Sequence, residues 1–414
     1  PAACRADLPA VLPGRVLLPR PPPAKVVAAA RLLLPGLGGL VGNLLEHKVE
    51  PPGRGDPGRH VQPGDGDSPY FLNFNSNKRS VGLNLKDPRG RDLLLRMAPH
   101  YDVFVENYGP GAIEKLDLGP DVVQRANPRI IYGRLKGFGL SGPYADFKAF
   151  DPIAQAASGA IALTGPADGP PVYPASMTGD SGTGVQLALA ITAAYVECQR
   201  TGAGQVIEIS MQEAMTFFMR SRASSTIWNT RPALGRGDPN RSGAGPATVR
   251  MYPCPPQGLN DYVYIMCTTE RMWDSLCIAI EQPELALDPR FATDPARKEN
   301  NEALAEVIGA WMLGRTKEEA MRTLGEAGVP CSAVMSMEDL FTDPHLRDRG
   351  FIQQLDHPEH GSIELLGFAP RLSNGDVPFV RAPLMGEHTD DVLRSDLALE
   401  SAEIAELRDA GVVA

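Results

Sequence analysis

Residues 80–107 read Ser80-Val-Gly-Leu-Asn-Leu-Lys-Asp-Pro-Arg-Gly-Arg-Asp-Leu-Leu-Leu-Arg-Met-Ala-Pro-His-Tyr-Asp-Val-Phe-Val-Glu-Asn107. Ser80–Leu85 has the pattern of a short strand. Asp87-Pro-Arg-Gly then opens a helix over Arg91–Ala98, with proline in the first turn, where its missing N–H costs nothing. Tyr101–Asn107 is a strand again. Moving outward, a helical stretch at Asp121–Ala126 leads into Arg129-Ile-Ile-Tyr-Gly-Arg-Leu135, a third strand. Strands alternating with helices predict a parallel sheet covered on both faces, an α/β fold.

Further along, Gln155–Ala160 and Val185–Gln199 read as helices, the second apolar nearly all round and therefore expected to be buried. Gln205–Ser210 is a strand, and Met211–Arg222 a helix with Met and Phe at core spacing. Between residues 229 and 258, dense Gly, Pro, Asn and Arg predict a long connection and a domain boundary. Tyr262–Cys267 is then a strand, and Glu270–Ile280, Asn301–Met312 and Lys317–Gly328 are helices. The expectation is a large α/β domain over residues 1–228, then a linker and smaller α+β domain over residues 229–360.

The 414 residues, with 43% hydrophobic and 22% charged side chains, suit a globular chain. Lys and Arg number 40 against 50 Asp and Glu, so a global basic field for nucleic acid or an anionic membrane is missing, although a local basic pocket is compatible. Six cysteines without a CxxC pair do not make a disulfide scaffold, and a reducing cytoplasm is expected. The most apolar run, Val26–Leu45, is interrupted by Arg31, Pro35 and Asn43, which argues against a membrane span. No secretory signal is expected either.

Three motifs fail in context. Gly137-Phe-Gly-Leu-Ser-Gly142 matches GxGxxG after a strand, but Pro143-Tyr-Ala-Asp follows where a helix must open. Gly179-Asp-Ser-Gly-Thr183 approaches the serine-hydrolase elbow, with Thr183 in place of the second glycine. His357-Pro-Glu-His360 is not HExxH, and Pro358 opposes a helix that would align the imidazoles, so a surface turn is expected and no metal.

Thr178-Gly-Asp180-Ser-Gly-Thr-Gly184 is the most chemically suggestive stretch. Its glycines allow close approach of a substrate carbonyl, and the positive end of the following helix favours an ionised carboxylate that could attack an acyl carbon. The plainer alternative, favoured by local spacing alone, is that Asp180 caps the helix. Glu106-Asn-Tyr-Gly-Pro-Gly111 ends a strand where α/β sheets place ligand contacts, or is an ordinary exit turn.

Together with Asn75-Ser-Asn-Lys-Arg-Ser80, Asn127-Pro-Arg-Ile-Ile131, Phe150-Asp-Pro-Ile-Ala-Gln155, Gly328-Val-Pro-Cys331, Asp343-Pro-His-Leu346 and Gly386-Glu-His-Thr-Asp390, these pieces resemble the family III CoA-transferases over about residues 48–395. In that family the aspartate after the glycine is the nucleophile, so the resemblance overrides the cap reading of Asp180. It implies transfer of CoA from an acyl-CoA to a carboxylic acid, through mixed anhydrides and an aspartyl-CoA thioester on Asp180. CoA contacts carry over to Leu83, Lys86, Asn107, Tyr108, Lys115, Leu116 and Lys148, with Asp151 in a supporting role. Gly243 and Gly245 fall in a glycine loop that closes over the intermediates in relatives. Here that run is short and interrupted by Ala244.

The resemblance further implies a Rossmann-like large domain, an interlocked homodimer and a C-terminal return of residues 361–414 to the large domain. A small dicarboxylate is the expected partner acid. The α-methylacyl-CoA racemases share the fold, but Phe150 stands where their catalytic histidine would precede Asp151. An inactive CoA-binding protein is the other alternative. Val49-Glu-Pro-Pro52 matches the family's strand end, whereas the expected pattern upstream of Lys48 is unreadable. The first sixty residues also hold 11 of the 39 prolines. Residues 1–47 are therefore expected to be shifted in frame or otherwise altered, and no CoA contact is assigned there.

Overall fold

The structure is a computed structural model and describes residues 25–28, 45–61, 66–222, 235–236, 246–373 and 378–414. Gly243, Gly245 and most of the proline-rich opening lie outside the described residues. Six strands, β1 (Lys25–Ala28), β2 (Leu45–Glu50), β3 (Lys78–Gly82), β4 (Val103–Glu106), β5 (Ile131–Lys136) and β6 (Val206–Ser210), form one sheet in the order β3-β2-β1-β4-β5-β6. Every neighbouring pair is parallel. This is the doubly wound order, which opens a crevice at the carboxyl ends of the strands.

The local reasons follow the sequence. Asp87 accepts the Arg89 N–H and Pro88 opens the helix Pro88–Met97, whose Leu93, Leu94 and Met97 are buried. They join Leu83, Val123, Tyr132 and Phe104 in the main core, where the Phe104 and Tyr132 rings stack at 4.8 Å. The end of the chain packs into the same core. Val392, Leu393 and Ile404 come from helices Thr389–Leu397 and Ser401–Asp409, and the Asn84 N–H donates to the Val412 carbonyl at 2.8 Å.

β2 is the exception to apolar core logic. Its Glu46, Lys48 and Glu50 are buried, and charges taken from water are tolerated only when paired. Lys48 meets Asp56 at 2.6 Å, and Arg59 bridges Glu50 and Asp67 while lying 3.8 Å over the Phe71 ring. These pairs fix the loop after β2 against the sheet.

A separate buried cluster, with Trp273, Leu276, Leu304, Ile308 and Leu324, surrounds the antiparallel sheet β7 (Val249–Pro253), β8 (Tyr262–Met266) and β9 (Cys331–Ala333). β10 (Ile352–His357) and β11 (Gly361–Leu366) form an antiparallel hairpin.

Several sequence expectations need correction. The helix expected at Gln155–Ala160 runs over Asp151–Ala157, because Pro152 suits the first turn. The helix expected from Val185 begins at Thr178 and ends at Thr201. It is not buried all round: Val185, Leu189 and Val196 lie on one face and are more than half exposed. Of the Met/Phe stripe, Met211 and Met215 are core, whereas Phe217 and Phe218 are exposed. β7 occupies part of the stretch expected to be loop. Residues 138–142 form bends and no helix, with Gly139 and Gly142 at positive φ, as the failed GxGxxG context predicts. No described helix is long and apolar enough to cross a membrane.

Candidate active site

Asp180 is the third residue of the helix Thr178–Thr201. The residue preceding that helix, Met177, supplies no side-chain cap. Instead the backbone N–H of Asp180 donates to Oδ1 of Asp151 at 3.1 Å. Asp151 therefore caps the helix, and the Asp180 carboxylate has no hydrogen-bond partner among the described residues. The capping alternative for Asp180 is thus filled by another residue.

Asp151 opens its own helix and is 1% exposed. Its Oδ2 accepts from Gln155 Nε2 at 2.8 Å and from the Tyr173 hydroxyl at 2.5 Å. Gln155 also donates to the Ser176 carbonyl at 2.7 Å, which ties the segment before Asp180 to the same anchor. The hydrogen bond to Asp151 pushes the Tyr173 phenol up to about 12. Gly179 is required here for a reason other than substrate approach: a Cβ on it would fall 2.8 Å from Asp151 Oδ1 and 3.0 Å from the Asp151 carbonyl oxygen.

Burial, with the neighbouring Asp151 charge second, pushes the Asp180 carboxyl up to about 7. The positive helix end works against both. The result is a carboxylate that is basic for its type and weakly solvated, two properties that favour nucleophilic attack.

Asp180 lines a cavity of about 870 Å³, whose wall includes Tyr70, Asn107, Tyr108, Lys115, Lys148 and Phe150. A second cavity of about 700 Å³ is lined by Leu83, Lys86, Tyr108 and Leu116, with Arg54 and His60. Asp56 and Tyr108 belong to both walls, so the two cavities meet there. The sequence-expected residues thus divide into Asn107, Tyr108, Lys115 and Lys148 around Asp180, and Leu83, Lys86, Tyr108 and Leu116 next door. Asp151 stands behind Asp180 and outside the cavity lining.

The Asn107-Tyr108 turn is built by Glu106, fully buried at the end of β4. Its carboxylate accepts the Tyr108 N–H at 2.9 Å, Lys136 Nζ at 2.7 Å and Arg134 Nε at 3.1 Å. Lys136 also donates to the Tyr108 carbonyl at 2.7 Å. Lys86, Lys115 and Lys148 make no ion pair among the described residues, leaving three positive charges along the paired cavities.

Sequence reasoning did not single out Tyr70, Tyr173, Arg54, His60 or Gln155 as site residues. Gln155 had a usable signal, four residues after Asp151 on one helix face. The other four reach the site from separate segments, and no local pattern marks them.

The sequence profile of CoA-transferase family III matches residues 47–389. A formyl-CoA:oxalate CoA-transferase of Rhodopseudomonas palustris (strain HaA2) is 35% identical over 385 residues, covering 89% of this chain and 90% of that protein. One from Streptomyces coelicolor is 36% identical over 360 residues, covering 84% and 87%. Among solved structures, a CAIB/BAIF family protein from Brucella suis superposes with a TM-score of 0.78 at 28% identity, covering 90% of this chain and 98% of that one. The chain belongs to CoA-transferase family III and is a CoA-transferase.

Proposed function

We propose that the protein moves CoA from an acyl-CoA to a small dicarboxylate, with Asp180 as the covalent nucleophile. The carrying observation is Asp180 itself: a carboxylate with no hydrogen-bond partner among the described residues, partly desolvated, on a cavity that also presents Lys115 and Lys148.

The Asp180 carboxylate attacks the thioester carbonyl, and CoA thiolate leaves to give an aspartyl–acyl anhydride. The thiolate then attacks the aspartyl carbonyl and releases the donor acid. The resulting aspartyl-CoA thioester is attacked by the acceptor carboxylate, forming a second anhydride and freeing the thiolate again. Thiolate attack on the acceptor carbonyl completes the new acyl-CoA and restores Asp180. No external oxidant, reductant or water enters, and a dry cavity protects both anhydrides.

A CoA molecule spanning both cavities would lay its phosphates near Lys86 and Arg54 and its thiol end near Asp180, with Tyr108 at the join. Charge-assisted contacts of this kind answer how a chain of net charge -10 holds a polyanion. Leu83 and Leu116 supply apolar wall for the adenine. Support for a dicarboxylate comes from the formyl-CoA:oxalate relatives. The exposed apolar face of Val185, Leu189 and Val196, with Phe150, Phe217 and Phe218 also exposed, is the kind of surface a second copy in an interlocked homodimer would cover. A cytoplasmic setting suits the five cysteines that stand free among the described residues.

The test is incubation with a panel of acyl-CoA donors and free acids, read by mass spectrometry of the CoA esters. New acyl-CoA formed from a dicarboxylate such as oxalate or succinate is expected. Transfer only to monocarboxylates would contradict the substrate class.

A further inference from the structure

The β10–β11 hairpin closes through Pro358, Glu359 and His360, with Gly361 at φ 69° completing a three-residue loop. The turn places His357, at the end of β10, beside His360 without a helix. Their ring centroids are 4.9 Å apart and the planes are inclined by 33°. One ligand atom each from His357, Glu359 and His360 falls within 4.8 Å of the others.

His357 is 3% exposed, and its Nε2 and that of His360 are buried with no hydrogen-bond partner among the described residues. A buried imidazole nitrogen without a partner costs about 1–3 kcal/mol, so a pair of them in one turn calls for a ligand. The space is bounded by a glycine: a Cβ on Gly66 would fall 2.8 Å from Glu359 Oε2 and 3.1 Å from His360 Nε2.

We propose that His357, Glu359 and His360 bind a divalent transition-metal ion of the zinc class, with water completing its coordination. Two imidazoles and one carboxylate are donors that Zn²⁺ accepts at about 2.0–2.2 Å each, so the loop contracts slightly around the ion. His357 Nδ1 accepts the Glu359 N–H at 3.2 Å, which leaves the ring proton on Nε2. Metal binding at Nε2 moves that proton to Nδ1 and gives up this long backbone contact, while the Glu359 carboxylate already faces the two rings.

The charged groups around the turn permit the added cation. Arg381 is engaged by Glu387 through both terminal guanidinium nitrogens, Asp67 near His357 is paired with Arg59, and Glu359 supplies negative charge at the turn itself. The site is separate from Asp180 and does not depend on the transfer mechanism. Its location matters because the hairpin shares a small apolar cluster with Phe71 and Leu72, on the helix Pro69–Phe74 that also presents Tyr70 to the Asp180 cavity.

The test titrates Zn²⁺ alone into the full chain in competition with a chromophoric chelator, with the His360→Gln and Glu359→Gln variants beside the wild type. His360 and Glu359 are less buried than His357, so these variants should retain the fold, checked by circular dichroism. The expected result is one Zn²⁺ per chain, held at least about tenfold more weakly in His360→Gln. Zn²⁺ should also raise the melting temperature of the wild type more than that of His360→Gln, as binding to the native state alone requires. Equal affinity in wild type and His360→Gln would mark adventitious binding at other histidines and overturn the proposal. So would failure of the wild type to take up Zn²⁺.

Discussion

The backbone N–H of Asp180 is held 3.1 Å from Oδ1 of Asp151, so one aspartate positions the other without touching its carboxylate oxygens. The arrangement separates two tasks that a single capping aspartate would have combined. Asp151, fully buried and pinned by Gln155 and Tyr173, satisfies the helix end. The Asp180 carboxylate keeps no hydrogen-bond partner among the described residues, and its pKa is raised to about 7 by burial and by Asp151.

Part of that raised pKa comes from the charge on Asp151. Asp151→Asn keeps an oxygen for the Asp180 N–H but removes the neighbouring charge, which lowers the Asp180 pKa. With Asp180 as the proposed nucleophile, transfer would require its ionised form, so in the wild type the rate should rise with pH through about 7. In Asp151→Asn this acidic limb of the kcat profile should move to lower pH. An unmoved limb would show that Asp151 does not set the charge state of Asp180.

Gly179→Ala tests the packing. The added Cβ meets both the carboxylate and the carbonyl oxygen of Asp151, and neither can retreat without moving the helix start. A loss of about 1–3 kcal/mol in stability and of at least about 100-fold in kcat is expected, measured by thermal unfolding and steady-state kinetics.

Stability should carry the signature of Asp180 as well. Its folded pKa, about 7, lies above the ordinary 3.8, so its stabilising contribution is complete below the unfolded value and is lost as pH rises through about 7. Asp180→Asn should therefore melt above the wild type at pH 8, and the gap should narrow as the pH falls toward 5. Parallel melting curves across that range would contradict the raised pKa.

If one CoA spans both cavities, Lys86→Ala and Lys148→Ala act on the same ligand from different ends. Each should raise KM for acyl-CoA by about tenfold, increasingly masked at high salt, while leaving KM for the acid nearly unchanged. An effect of Lys148→Ala confined to the acid would instead place that lysine in an acceptor pocket.

How much of this was legible in the sequence depends on whether the signal was local. The run from Val81 to Leu135 announces its strands and helices through Pro88, Pro120 and valine-rich and isoleucine-rich strands, and the structure has them within a few residues. β2 was legible only as a strand end. Glu46, Lys48 and Glu50 carry no local signal of burial, and only their partners Lys78, Asp56 and Arg59 let them sit inside. The helix holding Asp180 was read as starting seven residues late, because Gly179, Gly182 and Gly184 look like loop until Asp151 and Phe218 are seen packed against the first two. Asp180 itself stood out by its glycines and by the family pattern. Tyr173 and Tyr70 did not, since only the tertiary fold brings them to the carboxylates.

As the proposed nucleophile, Asp180 would become covalently acylated during turnover. Incubating the protein with an acyl-CoA, quenching with hydroxylamine and mapping the peptides by mass spectrometry tests it most directly. A hydroxamate at Asp180 is expected in the wild type and none in Asp180→Ala, with transfer in that variant lost by at least about a thousandfold. Retained turnover in Asp180→Ala, or a hydroxamate on any other carboxylate, would contradict it.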